Sequence, residues 1–151
     1  MAISVGGRAI FSAIPSVQPS SYIIIITALL YGSEMGFIAG ILTAVLSNLL
    51  LGFGPFVIYQ MLGWGLMGFF AGFLKNRNFI IIAVYGFVWG FFYGWITNFW
   101  YILSVRAVPL NWTSIIAGAA FSFNLDLAHA ICNFALLMVL PVNIIRKLKK
   151  N

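Results

Sequence analysis

The chain has 151 residues, of which 63% are hydrophobic and 7% are charged, and its net charge is +6. So few charged side chains could not cover the surface of a soluble domain, and an aromatic content of 17% excludes a disordered chain. The single cysteine excludes an internal disulfide framework and a multi-cysteine metal site. The composition therefore predicts an all-α polytopic membrane protein, with one transmembrane domain over residues 1–151.

Apolar stretches follow one another along the chain. Residues 1–14 are too short to span a bilayer and predict a partial first helix, and residues 15–21 predict an outer loop. Because residues 1–14 look like the outer end of a helix, we expect the natural gene product to carry an upstream stretch that completes it. Five spans and a basic tail are predicted after the loop, at residues 22–32, 35–52, 55–74, 79–103, 113–140 and 141–151.

The breaks between the spans contain turn-forming residues. The Gly-Phe-Gly-Pro stretch at 52–55 predicts a helix end, a turn and a new helix with Pro55 at its first position. Residues 75–78 form a polar break. Asn111 and Thr113 are alternative caps for the last span.

The basic residues predict the orientation in the membrane. Lys75 and Arg77 lie two spans before the basic tail, so both regions lie on one side, and six bases there outnumber Arg8 and Arg106 on the other side. The positive-inside rule therefore predicts a cytoplasmic C-terminus and an outer location for residues 12–21. The positive charge then reflects orientation and not nucleic-acid binding, although a contact of the tail with anionic lipid or a partner is an alternative.

Small residues recur at helical spacing in several spans. Such ridges let helix backbones approach closely, either inside one bundle or against a partner protein in the membrane. The sequence leaves both interpretations open. The ridges are Ala9 and Ala13, Gly36 and Gly40, Gly68 and Gly72, and Gly86, Gly90 and Gly94.

Polar side chains concentrate in the predicted outer halves of four spans. Gln60 lies about 7 Å into its helix, with Trp64 one turn deeper on the same face. Since the inner halves are nearly devoid of polar side chains, the pattern predicts a cavity open to the outside and closed below. On the last span, one face carries Ser122, Asp126, His129 and Asn133.

These polar residues also allow structural interpretations. Asn48 could bond a neighbouring backbone carbonyl, and Asp126 with His129 could form a pair that holds two helices together, or a proton relay. No phosphate-binding loop or nucleophile elbow is present, so no catalytic residue is predicted. With one cysteine, one histidine and two acids, the sequence predicts no metal site.

Several motifs within residues 7–74 occur in one order: Gly-Arg at 7–8, Ile-Pro-Ser-Val-Gln-Pro at 14–19, Gly-Phe-Gly-Pro-Phe at 52–56, Gln-Met-Leu-Gly-Trp-Gly-Leu at 60–66, and Ala-Gly at 71–72. This order resembles the substrate-binding membrane subunit (S component) of energy-coupling factor (ECF) transporters, and most resembles the branch assigned to vitamins such as cobalamin. The resemblance implies a six-helix bundle with both ends in the cytoplasm. It also implies an outward cavity covered by the loop between helices one and two, here about residues 13–21.

The resemblance implies uptake of a vitamin or related micronutrient through the bacterial plasma membrane, without catalysis by this chain. A transmembrane coupling subunit and two ATPase subunits would be its partners, and ATP would be used only by them, so no cofactor is expected here. In the family, helix one carries an A-x-x-x-A surface that docks on the coupling subunit. Ala9 and Ala13 have this spacing. We expect them to lie too far outward for docking, because residues 1–14 are expected to be only the outer end of that helix.

With this resemblance, we predict which side chains contact the substrate. The predicted lid residues are Arg8 and Gln18. The competing hypotheses are a non-transport membrane scaffold of the rod-shape and cell-wall machinery, and a small membrane enzyme. The predicted substrate-binding residues are Asn48, Gln60, Trp64, Asn98, Asp126 and His129.

Overall fold

The computed structural model describes residues 2–14, 16–104 and 109–140, and within them the regular structure is helical throughout. A 3₁₀ turn at Phe11–Ala13 follows the first helix. The predicted basic tail and Arg106 lie outside the described residues. The α-helices are α1 (Ala2–Ile10), α2 (Pro19–Tyr31), α3 (Ser33–Leu51), α4 (Val57–Gly72), α5 (Phe79–Ser104) and α6 (Trp112–Val139).

The helices differ in whether their length allows them to cross a membrane. Within the described residues, α3, α5 and α6 are long and apolar enough to do so, whereas α1, α2 and α4 are shorter apolar helices. Large apolar side chains cover much of the outer surface, and Phe121, for example, is 90% exposed. The helical membrane fold is therefore confirmed, while the count of five spans with a partial first helix stays a prediction.

Two helix starts differ from the sequence prediction. Helix α2 begins at Pro19, so residues 19–21 are helical and do not belong to the predicted loop, because proline fixes the backbone angle that a first turn needs. Helix α4 begins only at Val57, and Pro55 lies in the preceding turn, where the Val57 amide donates to the Gly54 carbonyl at 3.0 Å. The cap at Asn111 is confirmed, since its side chain accepts from the Ser114 amide at 2.8 Å.

Helix α2 lies in the centre of the bundle and packs against α1, α3, α4 and α6. Ile24, Ile25, Ala28 and Leu29 have no exposed surface. A helix surrounded by other helices is apolar on every face. The short predicted span at residues 22–32 therefore forms the core of the fold.

Hydroxyl groups attach the short α1 to this core. The Ser20 hydroxyl donates to the Ser4 carbonyl at 2.7 Å, and the Ser4 hydroxyl lies 2.9 Å from that of Thr43. All three side chains are fully buried. Such bonds hold α1 against α2 and α3 even though α1 has only nine residues.

The glycine ridges pack inside the bundle. A β-carbon on Gly36 would overlap the backbone of Gly68 on α4, and one on Gly40 would overlap the backbone of Trp64. On α5, a β-carbon on Gly90 would lie 2.5 Å from the Ala130 Cα atom. The interpretation of the ridges on α3, α4 and α5 as internal packing surfaces is confirmed.

Alanine at Gly36 is expected to destabilise the bundle. Its methyl group would force α3 away from α4, which should lower the free energy of unfolding by about 1–3 kcal/mol. The matched control is Gly6→Ala, because nothing lies within 4 Å of a β-carbon at Gly6. Unfolding of both variants would be followed by heating in detergent. A Gly36→Ala variant as stable as Gly6→Ala would contradict the close approach of α3 and α4.

Candidate functional site

A polar cavity of about 210 Å³ lies between α5, α6 and the segment that precedes α2. Helix α4 contributes to it one side chain, that of Gln60. The wall mixes amide, hydroxyl, carboxylate and imidazole groups, which is the chemistry needed to orient a small molecule. The lining residues are Ser16, Gln18, Gln60, Tyr93, Gly94, Thr97, Asn98, Ser122, Leu125, Asp126 and His129.

A second cavity of about 190 Å³ adjoins the first. Ser16 and Gln18 line both cavities, so the segment 16–18 lies between them. Sites for small molecules usually measure about 300–1,000 Å³, so neither cavity alone reaches this range. The lining residues of the second cavity are Arg8, Phe11, Ser12, Ile14, Ser16, Val17, Gln18 and Leu51.

The segment between the cavities contains an uncommon backbone conformation. Ser16 has a φ of 61°, in the left-handed region that residues with a β-carbon seldom adopt. Next to it, the Gln18 Oε1 atom is buried and has no hydrogen-bond partner in the structure. A buried acceptor without a partner is costly, so a ligand that donates to it would be favoured here.

Arg8 extends from α1 to the polar ends of α3 and α4. Its guanidinium donates to the Ser47 hydroxyl and, at 3.2 Å, to the Gln60 Oε1 atom. The guanidinium carbon also lies 4.9 Å from the centroid of the Trp64 ring. Three helices therefore hold this cation in one position.

Asn48 bonds the Gln60 side chain from α3. Its Nδ2 group donates to the Gln60 Oε1 atom at 2.6 Å and to the Ala44 carbonyl at 2.6 Å. Asn48 thus makes the predicted bond to a neighbouring backbone carbonyl and also contacts the site through Gln60. Because Oε1 of Gln60 accepts from both Asn48 and Arg8, its amide nitrogen is directed elsewhere and can face a ligand.

Trp64 has no exposed surface and lies beneath the cavity, not in its wall. Its ring stacks on that of Tyr93, with centroids 5.1 Å apart, and its Nε1 group donates to the Ser21 hydroxyl at 3.1 Å. This indole lines neither cavity, and its predicted contact with the substrate stays a prediction. The side chain is large and apolar, and burying it next to Tyr93 and Arg8 keeps those two residues in place.

His129 bonds the same hydroxyl from the other side. The Ser21 Oγ atom lies 2.7 Å from His129 Nε2, and the imidazole meets the Tyr93 ring edge-on with centroids 5.1 Å apart. A hydroxyl that accepts from Trp64 can donate its own proton to His129, which leaves Nδ1 as the protonated nitrogen. The Tyr93 hydroxyl itself is buried and has no hydrogen-bond partner among the described residues.

Asp126 belongs to a separate chain of hydrogen bonds. Asn98 donates to the Ser122 hydroxyl at 2.5 Å, and Ser122 donates to the Asp126 Oδ2 atom at 2.7 Å. No hydrogen bond joins Asp126 to His129 in the described part of the chain, so the two do not form the direct pair that was one alternative. The carboxylate instead fills the space beside Gly94, where a β-carbon would overlap it.

The structure gathers all eight predicted residues around one region. Gln18, Gln60, Asn98, Asp126 and His129 line the first cavity, and Arg8 and Gln18 line the second. Asn48 and Trp64 line neither cavity, but Asn48 bonds Gln60 and Trp64 contacts Arg8.

Sequence reasoning missed Ser21, Tyr93 and Thr97. Ser21 falls within the predicted outer loop, although it is buried inside α2 and bridges two other helices. Tyr93 lies in an aromatic-rich span, where composition does not distinguish one ring from another. A usable signal was the glycine ridge on α5, because Tyr93 and Thr97 lie three residues after Gly90 and Gly94 and so share the face of that ridge. In the described residues, no group of three or more His, Cys, Asp or Glu side chains could hold a metal ion.

A comparison with protein families now identifies the chain's relatives. A family model described as "ECF-type riboflavin transporter, S component" matches residues 3–150. No curated protein and no solved structure matches the chain. The match confirms the resemblance to S components and to a vitamin branch, but its description names riboflavin, so the cobalamin-like branch receives no support from it. The family is one of multi-pass transporter subunits of the bacterial plasma membrane and not of enzymes. Since the match covers almost every residue, the chain belongs to the family of ECF-type riboflavin transporter S components.

Proposed function

We propose that this chain captures a vitamin or related micronutrient on the outer side of the membrane, in the cavities on either side of residues 16–18. The observation that carries the proposal is the gathering of eight polar or aromatic residues from α1, α3, α4, α5, α6 and the connecting segment around these cavities. Membership of the S-component family supplies the class of molecule.

Binding here needs hydrogen bonds and exclusion of water, and no covalent chemistry. Asn98, Gln60 and His129 present donors and acceptors, and the buried Tyr93 hydroxyl and Gln18 Oε1 atom have no partner among the described residues. Because each cavity is small, the ligand would displace residues 16–18 so that the two spaces merge. A ring with several amide or hydroxyl groups would satisfy this wall, and riboflavin, which the family description names, is the first compound to test.

Uptake would then depend on partner proteins. A transmembrane coupling subunit and two ATPase subunits would bind the loaded chain, and ATP hydrolysis by those subunits would drive its reorientation in the membrane and release of the vitamin inside. The glycine ridges of α3, α4 and α5 are already occupied within the bundle. Docking therefore has to use other surfaces.

The first prediction concerns the ligand. The detergent-purified chain would be heated with a panel of vitamins that includes riboflavin and cobalamin, and unfolding would be recorded. A ligand at one hundred times its dissociation constant should stabilise the folded chain by about 2.7 kcal/mol. A folded chain that responds to no member of the panel would argue against capture of a vitamin and would favour a scaffold.

The second prediction locates the binding site. Asn98→Ala should weaken the ligand's affinity about tenfold, because a cavity hydrogen bond and the support of Ser122 are lost. Asn124→Ala is the matched control, since the same residue type is exposed there on the outer side of α6. Isothermal titration would measure both variants. Equal affinities for Asn98→Ala and the parent chain would place the site elsewhere.

The third prediction concerns orientation. In a background with Cys132→Ala, single cysteines would be introduced as Ser12→Cys and Asn76→Cys, both at exposed positions. A membrane-impermeant maleimide should label position 12 in intact spheroplasts and position 76 only after the membrane is opened, since Lys75 and Arg77 are expected on the cytoplasmic side. The reverse labelling pattern would show that the cavities open inward.

A further inference from the structure

We propose that the compound captured by this chain carries an anionic group, a carboxylate or a phosphate, and that Arg8 is the residue that selects it. The inference deepens the proposed function and rests on it. The observation behind it is a guanidinium that three helices hold at the wall of the second cavity, without a carboxylate beside it.

No acidic side chain of this chain neutralises Arg8. The whole sequence contains two acids, Glu34 and Asp126. Glu34 lies in the first turn of α3, whereas Arg8 contacts Ser47 thirteen residues later, a separation of about 20 Å along the helix. Asp126 bonds Ser122, and no ion pair joins it to Arg8 in the described residues.

The guanidinium also keeps unused donors. It has five N–H groups, and the bonds to Ser47 and Gln60 both end on neutral oxygen atoms. The remaining groups can face the second cavity, of which Arg8 forms part of the wall. A planar fork of N–H groups matches the geometry of a carboxylate or a phosphate.

The surroundings of Arg8 position it for such a contact. The Trp64 ring lies 4.9 Å from the guanidinium carbon, and Gln60 is itself held by Asn48. A partly buried cation among apolar helices is costly unless it meets a counter-charge. Since the described residues supply none, an anionic ligand would remove that cost and gain charge-assisted hydrogen bonds.

The two cavities then divide the recognition of one molecule. The anionic group would lie beside Arg8, in the second cavity. The neutral part would reach past Gln18 into the first cavity, where Asp126 accepts hydrogen bonds and would repel an anion. A molecule with its charge at one end and hydroxyl or amide groups at the other would match this arrangement.

The test uses pairs of compounds that differ in charge. The full chain in neutral detergent would be titrated calorimetrically with riboflavin and its 5′-phosphate, pyridoxine and its 5′-phosphate, and pantothenol and pantothenate. In the pair that binds, the anionic member should bind about tenfold more tightly or better, as charge-assisted hydrogen bonds predict. Arg8→Gln should reduce this preference to within about threefold, and Arg8→Lys should keep part of it.

Controls separate this role from folding and from net charge. Arg77→Gln removes the same charge at an exposed position in the loop after α4 and should leave the preference unchanged. Size exclusion and thermal unfolding would show which variants fold. If Arg8→Gln does not fold, the preference of the parent chain and the behaviour of Arg8→Lys still decide the question.

Three outcomes would overturn the proposal. If the neutral member of a pair binds as tightly as the anionic one, the anionic requirement fails while vitamin capture stands. If no member of any pair binds to the folded chain, the proposed function fails and this inference with it. If dihexanoyl phosphatidylglycerol binds in an Arg8-dependent way and no vitamin shows a preference, Arg8 is a lipid headgroup contact.

Discussion

The hydroxyl group of Ser21 joins three helices at the base of the cavity. It accepts from Trp64 on α4 and bonds His129 on α6, while it belongs to the central helix α2. The rings of Trp64 and His129 both contact Tyr93 on α5, so a fourth helix is included. In an apolar bundle, such a bond is expensive to leave unmade, because no water is available to replace a lost partner. The relative positions of these four helices, and with them the walls of the cavity, depend on this one satisfied polar centre.

Close contact between helix backbones provides the rest of the framework. The Gly36–Gly68 contact brings α3 and α4 together, and the Gly90–Ala130 contact brings α5 and α6 together. Lipid supplies no hydrophobic force between helices, so the packing of small residues has to hold the helices together. The two tight pairs leave space at one end of the bundle, where side chains replace the glycines. There, Asn98 and Gln60 line the cavity and also bond neighbouring helices.

This division of the bundle suits a subunit that binds and does not catalyse. One end contains orphaned acceptors and donors, such as the Tyr93 hydroxyl and Gln18 Oε1, next to a segment with a left-handed residue at Ser16. The middle and the other end contain a dry core around Ile25, Leu29 and Met67. A through-channel would need polar side chains along its whole length. In the described residues, the polar cavity instead lies at one end of the bundle, and the buried core around α2 fills the rest.

The sequence by itself determined the class of protein, the positions of most helices and the residues that gather at the polar end. It did so because charge is scarce in lipid, so each polar side chain in an apolar helix stands out. Asn98, Asp126 and Gln60 could be selected from depth alone, and the family resemblance added Arg8 and Gln18.

The tertiary structure decided which helices and side chains meet, because depth and periodicity do not specify the partner of a helix face. It showed that α2 is central, that the glycine ridges of α3 and α4 face each other while that of α5 faces α6, and that Trp64 is fully buried. It also showed that Ser21 is a bridge between helices and that, within the described part of the chain, Arg8 donates to the neutral oxygens of Ser47 and Gln60. Periodicity defines the face of a helix but not the neighbour it meets, and hydrogen-bond partners 39 to 108 residues apart are set only when the helices pack.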